Sequence, residues 1–143
     1  MIRAAALLAW LLFGGFAMAQ GLPPGVSPGD RTSIQDVIRR QLDAFRRDDA
    51  PAAYGFAAPN IQTMFQSPDR FMEMVRRGYP PVYRPQNSEF SELAVRDGDV
   101  VQEVELVGPD GRPVLALYTM VRGADGAWVI AGCALIASAR VGA

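Results

Sequence analysis

A chain of 143 residues with a formal net charge of −1 is long enough for one domain and too evenly balanced to hold nucleic acid by charge. It has no His, and all 14 of its basic residues are Arg, so imidazole catalysis, the usual imidazole metal sites and amine-based covalent chemistry are excluded. Its one Cys, Cys133, has no internal disulfide partner, so the fold must rest on its own apolar core.

The chain opens as a secretory signal. Arg3 supplies the positive end, Ala4 to Phe13 the apolar run, and Ala17-Met18-Ala19 the small-residue cleavage site. Residues 1–19 are therefore expected to be removed, giving a periplasmic or secreted protein that begins at Gln20 and has no further membrane attachment. The apolar stretch is shorter than the roughly 20 residues of a spanning helix. Residues 20–31, with Pro23, Pro24, Gly25, Pro28 and Gly29, read as a flexible linker. A single α+β domain is expected over 32–140.

Thr32-Ser33-Ile34-Gln35 resembles a capping box, which puts the first helix start at Thr32. Ile34, Val37, Ile38, Leu42 and Phe45 then form one apolar stripe at helical spacing. Asp36 before Arg40 and Asp43 before Arg47 are acid-first pairs on the solvated face. Asp48-Asp49-Ala50-Pro51 starts a second, short helix, with acids at its positive end. Asn60 can cap one further turn through Ile61, Met64 and Phe65. Ser67-Pro68-Asp69 is a strong start signal for a longer helix with Phe71, Met74 and Val75 on its stripe, Arg76 and Arg77 at its negative end and Gly78 as its terminator. The three prolines of Tyr79 to Pro85 predict an extended path.

The remainder reads as a four-stranded antiparallel meander. Phe90 to Arg96 leads through Asp97-Gly98, a two-residue hairpin signal, into Val100 to Val107. Gly108-Pro109-Asp110-Gly111 and Gly123-Ala124-Asp125-Gly126 separate that run from Val114 to Val121 and from Trp128 to Ile136. Alternation places Val100, Gln102, Val104 and Leu106 on one face of the second strand, and Val114, Ala116, Tyr118 and Met120 on one face of the third. In the last strand it groups Trp128, Ile130, Ala134 and Ile136 against Val129, Ala131, Cys133 and Leu135. Both groups are apolar, so both faces should be covered. Helices of the same chain would cover one face. A cavity lining or a second subunit would cover the other.

Helices followed by a meander ending in Gly126-Ala127-Trp128-Val129-Ile130-Ala131-Gly132 resemble the nuclear transport factor two-like (NTF2-like, cystatin-like) superfamily. Closer is the resemblance to a small bacterial family catalogued as domain of unknown function 4864. It is carried by Gln41 to Phe45 with Asp48-Asp49, by Phe56 to Gln62, by the Trp128 strand and above all by Phe71 to Pro85. The resemblance implies helices packed in the concave face of a curved sheet, an NTF2-like cone. It implies no activity, since the superfamily holds isomerases and dehydratases beside domains that only bind or dimerise.

Arg76, Arg77, Tyr79, Tyr83 and Arg84 are the densest polar-aromatic cluster. One reading is a site for a small, weakly anionic ligand, because Arg forks grip carboxylate or phosphate. The plainer reading is that the arginines complement a helix end while the tyrosines cover the sheet edge. Asp69 and Glu73 suit a helix terminus better than an acid–base pair. Glu103 and Glu105 suit a solvated outer face. Tyr118 could donate into a cavity, though the plainer reading is a buried tyrosine bonded to a carbonyl. Cys133 reads as a packing residue, Gly132 as a bulge, and Met64, Met72, Met74 and Met120 as core filler. No phosphate-binding Gly loop, metal-ligand spacing or nucleophile elbow is present. The expected function is a non-catalytic module that binds a small apolar or weakly anionic molecule, or another protein, without cofactor or metal, dimeric through the outer sheet face. The alternative is a cofactor-independent isomerase or lyase using a buried carboxylate and tyrosines.

Overall fold

Ser27, not Thr32, opens the helical layer. In the computed structural model, which describes residues 21–138, helix α1 spans Pro28–Arg46. The expected signal segment 1–19 lies outside the described residues. The Ser27 hydroxyl accepts from the Asp30 N–H at 3.0 Å, and the Asp30 carboxylate accepts from the Ser27 N–H at 3.0 Å. This is a capping box one turn ahead of the expected one, and Pro28 fills the first helical position, where a missing N–H is harmless. Thr32 is interior and donates to the Pro28 carbonyl. The end of the expected linker 20–31 is therefore helical.

The stripe of α1 is as the spacing predicts. Ile34, Ile38, Leu42 and Phe45 are buried, and Gln41 and Ala44 join them. The exposed face carries Asp36–Arg40 at 3.0 Å and Asp43–Arg47 at 2.6 Å. Helix α2, Ala50–Gly55, is capped by Asp49, which accepts from the Ala52 N–H. Helix α3, Pro59–Phe65, starts from Ala58 with no side-chain cap. Asn60, expected as that cap, instead donates to the Ala131 carbonyl at 3.2 Å. Helix α4, Pro68–Gly78, begins at its Ser67-Pro68-Asp69 signal. Gly78 is its last helical residue rather than a terminator, and Tyr79 is the cap. The stretch expected to be extended contains helix α5, Pro80–Tyr83. Its two prolines occupy the first turn, whose N–H groups have no intrahelical partner in any helix. No described helix is long and apolar enough to cross a membrane.

Four antiparallel strands follow in sequence order: β1 Asn87–Arg96, β2 Asp99–Val107, β3 Pro113–Arg122 and β4 Trp128–Ala137. Asp97 and Gly98 both take positive φ, 51° and 84°, as a two-residue hairpin turn requires. The other two turns repeat one design. Gly111 and Gly126 take positive φ, while Asp110 and Asp125 accept from the N–H two residues on.

Both edge strands carry a bulge. In β1 the register slips between Phe90 and Leu93; in β4 it slips opposite Thr119 and Met120. The second slip corrects the expected parity. Trp128 and Ile130 share the helix-facing side with Cys133 and Leu135, because the extra residue at Ala131 flips the strand. Ile136 lands on the opposite side, 47% exposed, paired with Leu115 and diagonal to Leu117. The helix-facing side holds Val104, Leu106, Ala116, Tyr118 and Met120 against Ile34, Ile38 and Phe45. Gln102 is fully buried among them. Its amide donates to the carbonyls of Ser91, Glu92 and Glu103, and it accepts from Gln35, so it ties down the carbonyls that the β1 bulge releases.

Candidate ligand cavity

The bulge in β4 also fixes the position of α3. The connector before that helix lies along the edge of β4, with Ala58 N–H donating to the Ile130 carbonyl at 2.7 Å and Ile130 N–H to the Phe56 carbonyl at 2.9 Å. Tyr54 holds the helix from behind: its hydroxyl donates to the Gln62 carbonyl at 2.5 Å, and the Gln62 amide donates back to the Tyr54 carbonyl. These bonds hold α3 at its ends and back. None of its residues is buried.

Between α3, α4 and the β3–β4 pair lies a cavity of about 460 Å³. That is within the size range of small-molecule sites. Its aromatic wall is built round Phe71, whose ring lies 6.0 Å from Phe45 and 5.8 Å from each of Tyr54 and Phe65. Ile61 and Met64 line it from α3, Met74 and Val75 from α4, and Ile130 from the sheet. Polar groups are few: Gln41, Asn60, Tyr79, Tyr118 and Cys133. Among the described residues, the lining contains no Asp, Glu, Lys or Arg. Gln41 and Asn60 already donate to the Ala53 and Ala131 carbonyls.

Tyr118 is different. It is 1% exposed, and its hydroxyl has no hydrogen-bond partner. Leaving such a group unpaired costs about 1–3 kcal/mol. Cys133 is its cross-strand neighbour, close enough for the two ionisations to be coupled but without hydrogen-bond geometry. Burial holds the Tyr118 phenol well above its ordinary range. Burial likewise pushes the Cys133 thiol up to about 12, with the Tyr118 hydroxyl pulling the other way. Both groups are neutral near pH 7, and a neutral thiol is a poor nucleophile.

The polar cluster singled out by the sequence lies apart from this cavity, except for Tyr79. Its centre is Asp48, in the left-handed conformation at φ 55°. Asp48 accepts from the Tyr83 hydroxyl and, at 2.9 Å, from Arg84. Arg84 also donates to the Phe45 carbonyl at 2.5 Å and stacks over the Tyr83 ring at 4.0 Å. The hydrogen bond from Tyr83, then the charge of Arg84, hold the Asp48 carboxyl below its usual range. Arg76 reaches Tyr83 at 3.5 Å and Glu73 at 2.7 Å, and Arg77 reaches Glu73 at 2.7 Å. Each of these arginines therefore has a partner within the fold. Tyr83 and Arg84 latch the end of α5 to the end of α1 through Asp48 and the Phe45 carbonyl, while Arg77 pairs within α4. Glu103, expected to be solvated, pairs with Arg96 across the hairpin and keeps a side chain only 12% exposed.

Sequence reasoning missed a second latch altogether. Asp30, placed in the linker, accepts from Arg122 at 2.7 Å and from the Trp128 indole N–H at 3.3 Å. Its bond from the Ser27 N–H, assisted by Arg122 and Trp128, lowers its pKa to about 2. The available signal was Ser27-Pro28 with Asp30 behind it, the same start grammar as Ser67-Pro68-Asp69.

Over residues 28–143 the chain matches the family described as domain of unknown function (DUF4864), and it belongs to that family. No curated protein and no solved structure matches it.

Proposed function

We propose that this chain is an exported, non-catalytic module that holds a small, largely apolar molecule between its helical layer and its sheet. The observation that carries this reading is the cavity beside Phe71, which has largely apolar walls and one buried hydroxyl without a partner, that of Tyr118. An isomerase or lyase would need a carboxylate in the hollow beside a tyrosine. The carboxylate bonded to Tyr83 is Asp48, which is exposed at the latch, and among the described residues no carboxylate lines the cavity. The edge bulges, which bend strands, favour an NTF2-like cone over residues 32–140, now entered from Ser27. The signal-like residues 1–19 support export, with a mature start at Gln20. Intact-mass measurement of protein recovered from the periplasm tests that start.

The binding reading is tested with 1-aminoanthracene, an apolar fluorophore that brightens when shielded from water. Saturable binding of one dye per chain is expected. Ile61→Trp should abolish it with little change in melting temperature, because α3 buries no residue and tolerates the added volume. Failure of the wild-type protein to bind the dye would overturn the reading. The apolar outer face round Leu115, Leu117 and Ile136 supports a homodimer in the same proposal. Sedimentation velocity should show a dimer that Ile136→Arg converts to monomer; a wild-type monomer would remove that part.

A further inference from the structure

We infer that the cavity selects a neutral molecule carrying a hydrogen-bond acceptor such as a carbonyl, held by the Tyr118 hydroxyl and otherwise by apolar contact. This rests on the binding reading above and goes further, since it fixes the ligand's chemistry. Two observations carry it. The first is the charge balance of the lining. With no cationic side chain among the described lining residues, an anion entering the cavity would lose its hydration without gaining a counter-charge. With no carboxylate, a cation would fare no better. The arginines of the polar cluster are also committed, Arg76 and Arg77 to Glu73 and Arg84 to Asp48. The weakly anionic ligand considered from the sequence is thereby replaced by an uncharged one.

The second observation is Tyr118 itself. It lines the cavity, is almost wholly buried, and its hydroxyl has no partner. A phenol O–H that lacks an acceptor in the fold supplies a directional donor to a ligand that has one. The hydroxyl is closed off from water, so an occupant must shift the lining slightly to reach it. The unbranched Met64 and Met74 side chains on the same lining can move that far. Of the other polar lining groups, Gln41 and Asn60 each have one amide N–H bonded to a backbone carbonyl, and the Cys133 thiol is a weak donor. Tyr79 is only partly buried, so Tyr118 carries the one deeply buried hydroxyl of the described lining.

A matched series tests this: 2-ethylnaphthalene, 2-acetylnaphthalene and 2-naphthoate, which share a ring and differ in the polar group. The ketone should bind about fivefold to tenfold more tightly than the hydrocarbon, the gain of one buried hydrogen bond. The carboxylate should bind most weakly. In Tyr118→Phe the ketone should lose its advantage while the hydrocarbon binds as before. A lowered C=O stretching frequency of the bound ketone, in wild-type protein, reads the same bond without relying on the variant. Equal binding of ketone and hydrocarbon with an unshifted carbonyl stretch would overturn this inference and leave the binding reading intact. Tightest binding by the carboxylate would overturn it as well. Binding by none of the three would overturn the binding reading beneath it.

Discussion

Asp48 and Tyr118 are both polar centres set among aromatic rings, and they are opposite in kind. Asp48 is exposed and oversupplied with donors, Tyr83 and Arg84 directly and Arg76 through Tyr83. Tyr118 is sealed in and has none. A saturated charged cluster on the surface holds two elements together and has little left to offer a ligand. An unsaturated neutral group in an apolar wall costs stability and keeps a free bond. The difference separates the fastening of the helical layer from its capacity to bind.

The harshest way to break that comparison is to remove the ring on which both regions lean. Phe71 is 4% exposed and packs against Phe45, whose carbonyl the latch grips, and against Phe65 at the cavity. Phe71→Ala should cost about 3–5 kcal/mol in denaturant unfolding. It should also weaken dye binding, because a wall of the cavity goes with it. Little loss of stability would mean the aromatic wall is not part of the core.

A milder change should separate the two regions. Asp48→Asn removes the charge but keeps a side chain that tolerates the left-handed backbone. Melting temperature should fall, by less than for Phe71→Ala, while dye affinity stays within about twofold, since Asp48 does not line the cavity. A large loss of affinity at unchanged stability would place the ligand at the latch instead. The reciprocal change is Tyr118→Phe. Deleting an unpaired buried hydroxyl should leave stability within about 1 kcal/mol of wild type or raise it, while ketone selectivity disappears. A loss well beyond that would show that the hydroxyl is satisfied within the fold.

Much of the fold was legible in the sequence, and the comparison shows why the site was not. The α1 stripe, the Ser67 start, the Asp97-Gly98 hairpin and the paired Gly-x-Asp-Gly turns are local patterns, and each appears where its chemistry places it. Errors came where long-range contacts override local ones. Parity along β4 depends on a bulge whose position is set by pairing with Thr119 and Met120. Asn60 could cap a turn or serve the Ala131 carbonyl, and tertiary structure chose the second. The Arg76 to Arg84 cluster stood out because charged residues are dense there, yet density does not reveal whether partners such as Asp48 and Glu73 already absorb the charge. Of the cavity residues, Met64, Phe71 and Cys133 read as filler because a cavity wall and a packed core have the same composition, and the carbonyl partner expected for Tyr118 is absent.

The smallest effect expected is a titration, and it sharpens the comparison by testing charge alone. Asp30 fastens the start of α1 to Arg122 and Trp128, as Asp48 fastens its end. Its carboxyl titrates at about 2 in the folded chain, against about 3.9 in an unfolded one. Above about pH 4 the group is ionised in both states, and its bonds contribute fully. As pH falls below that, the unfolded chain takes up the proton first, so stability declines until the folded carboxyl also protonates near pH 2. Asp48, shifted in the same direction, adds to the same decline. Asp30→Asn keeps the capping oxygen and removes the titration, so its stability should fall less steeply over this window than that of the wild type. The cavity offers nothing that titrates there: its lining lacks carboxylates, and the Tyr118 and Cys133 groups stay protonated. Intrinsic affinity for a neutral ketone should therefore hold level from pH 7 to 4, before either latch begins to protonate. Equal acid sensitivity of wild type and Asp30→Asn would mean that Asp30 fastens nothing, and a ketone affinity that changed between pH 7 and 4 would place an ionising group in the cavity wall.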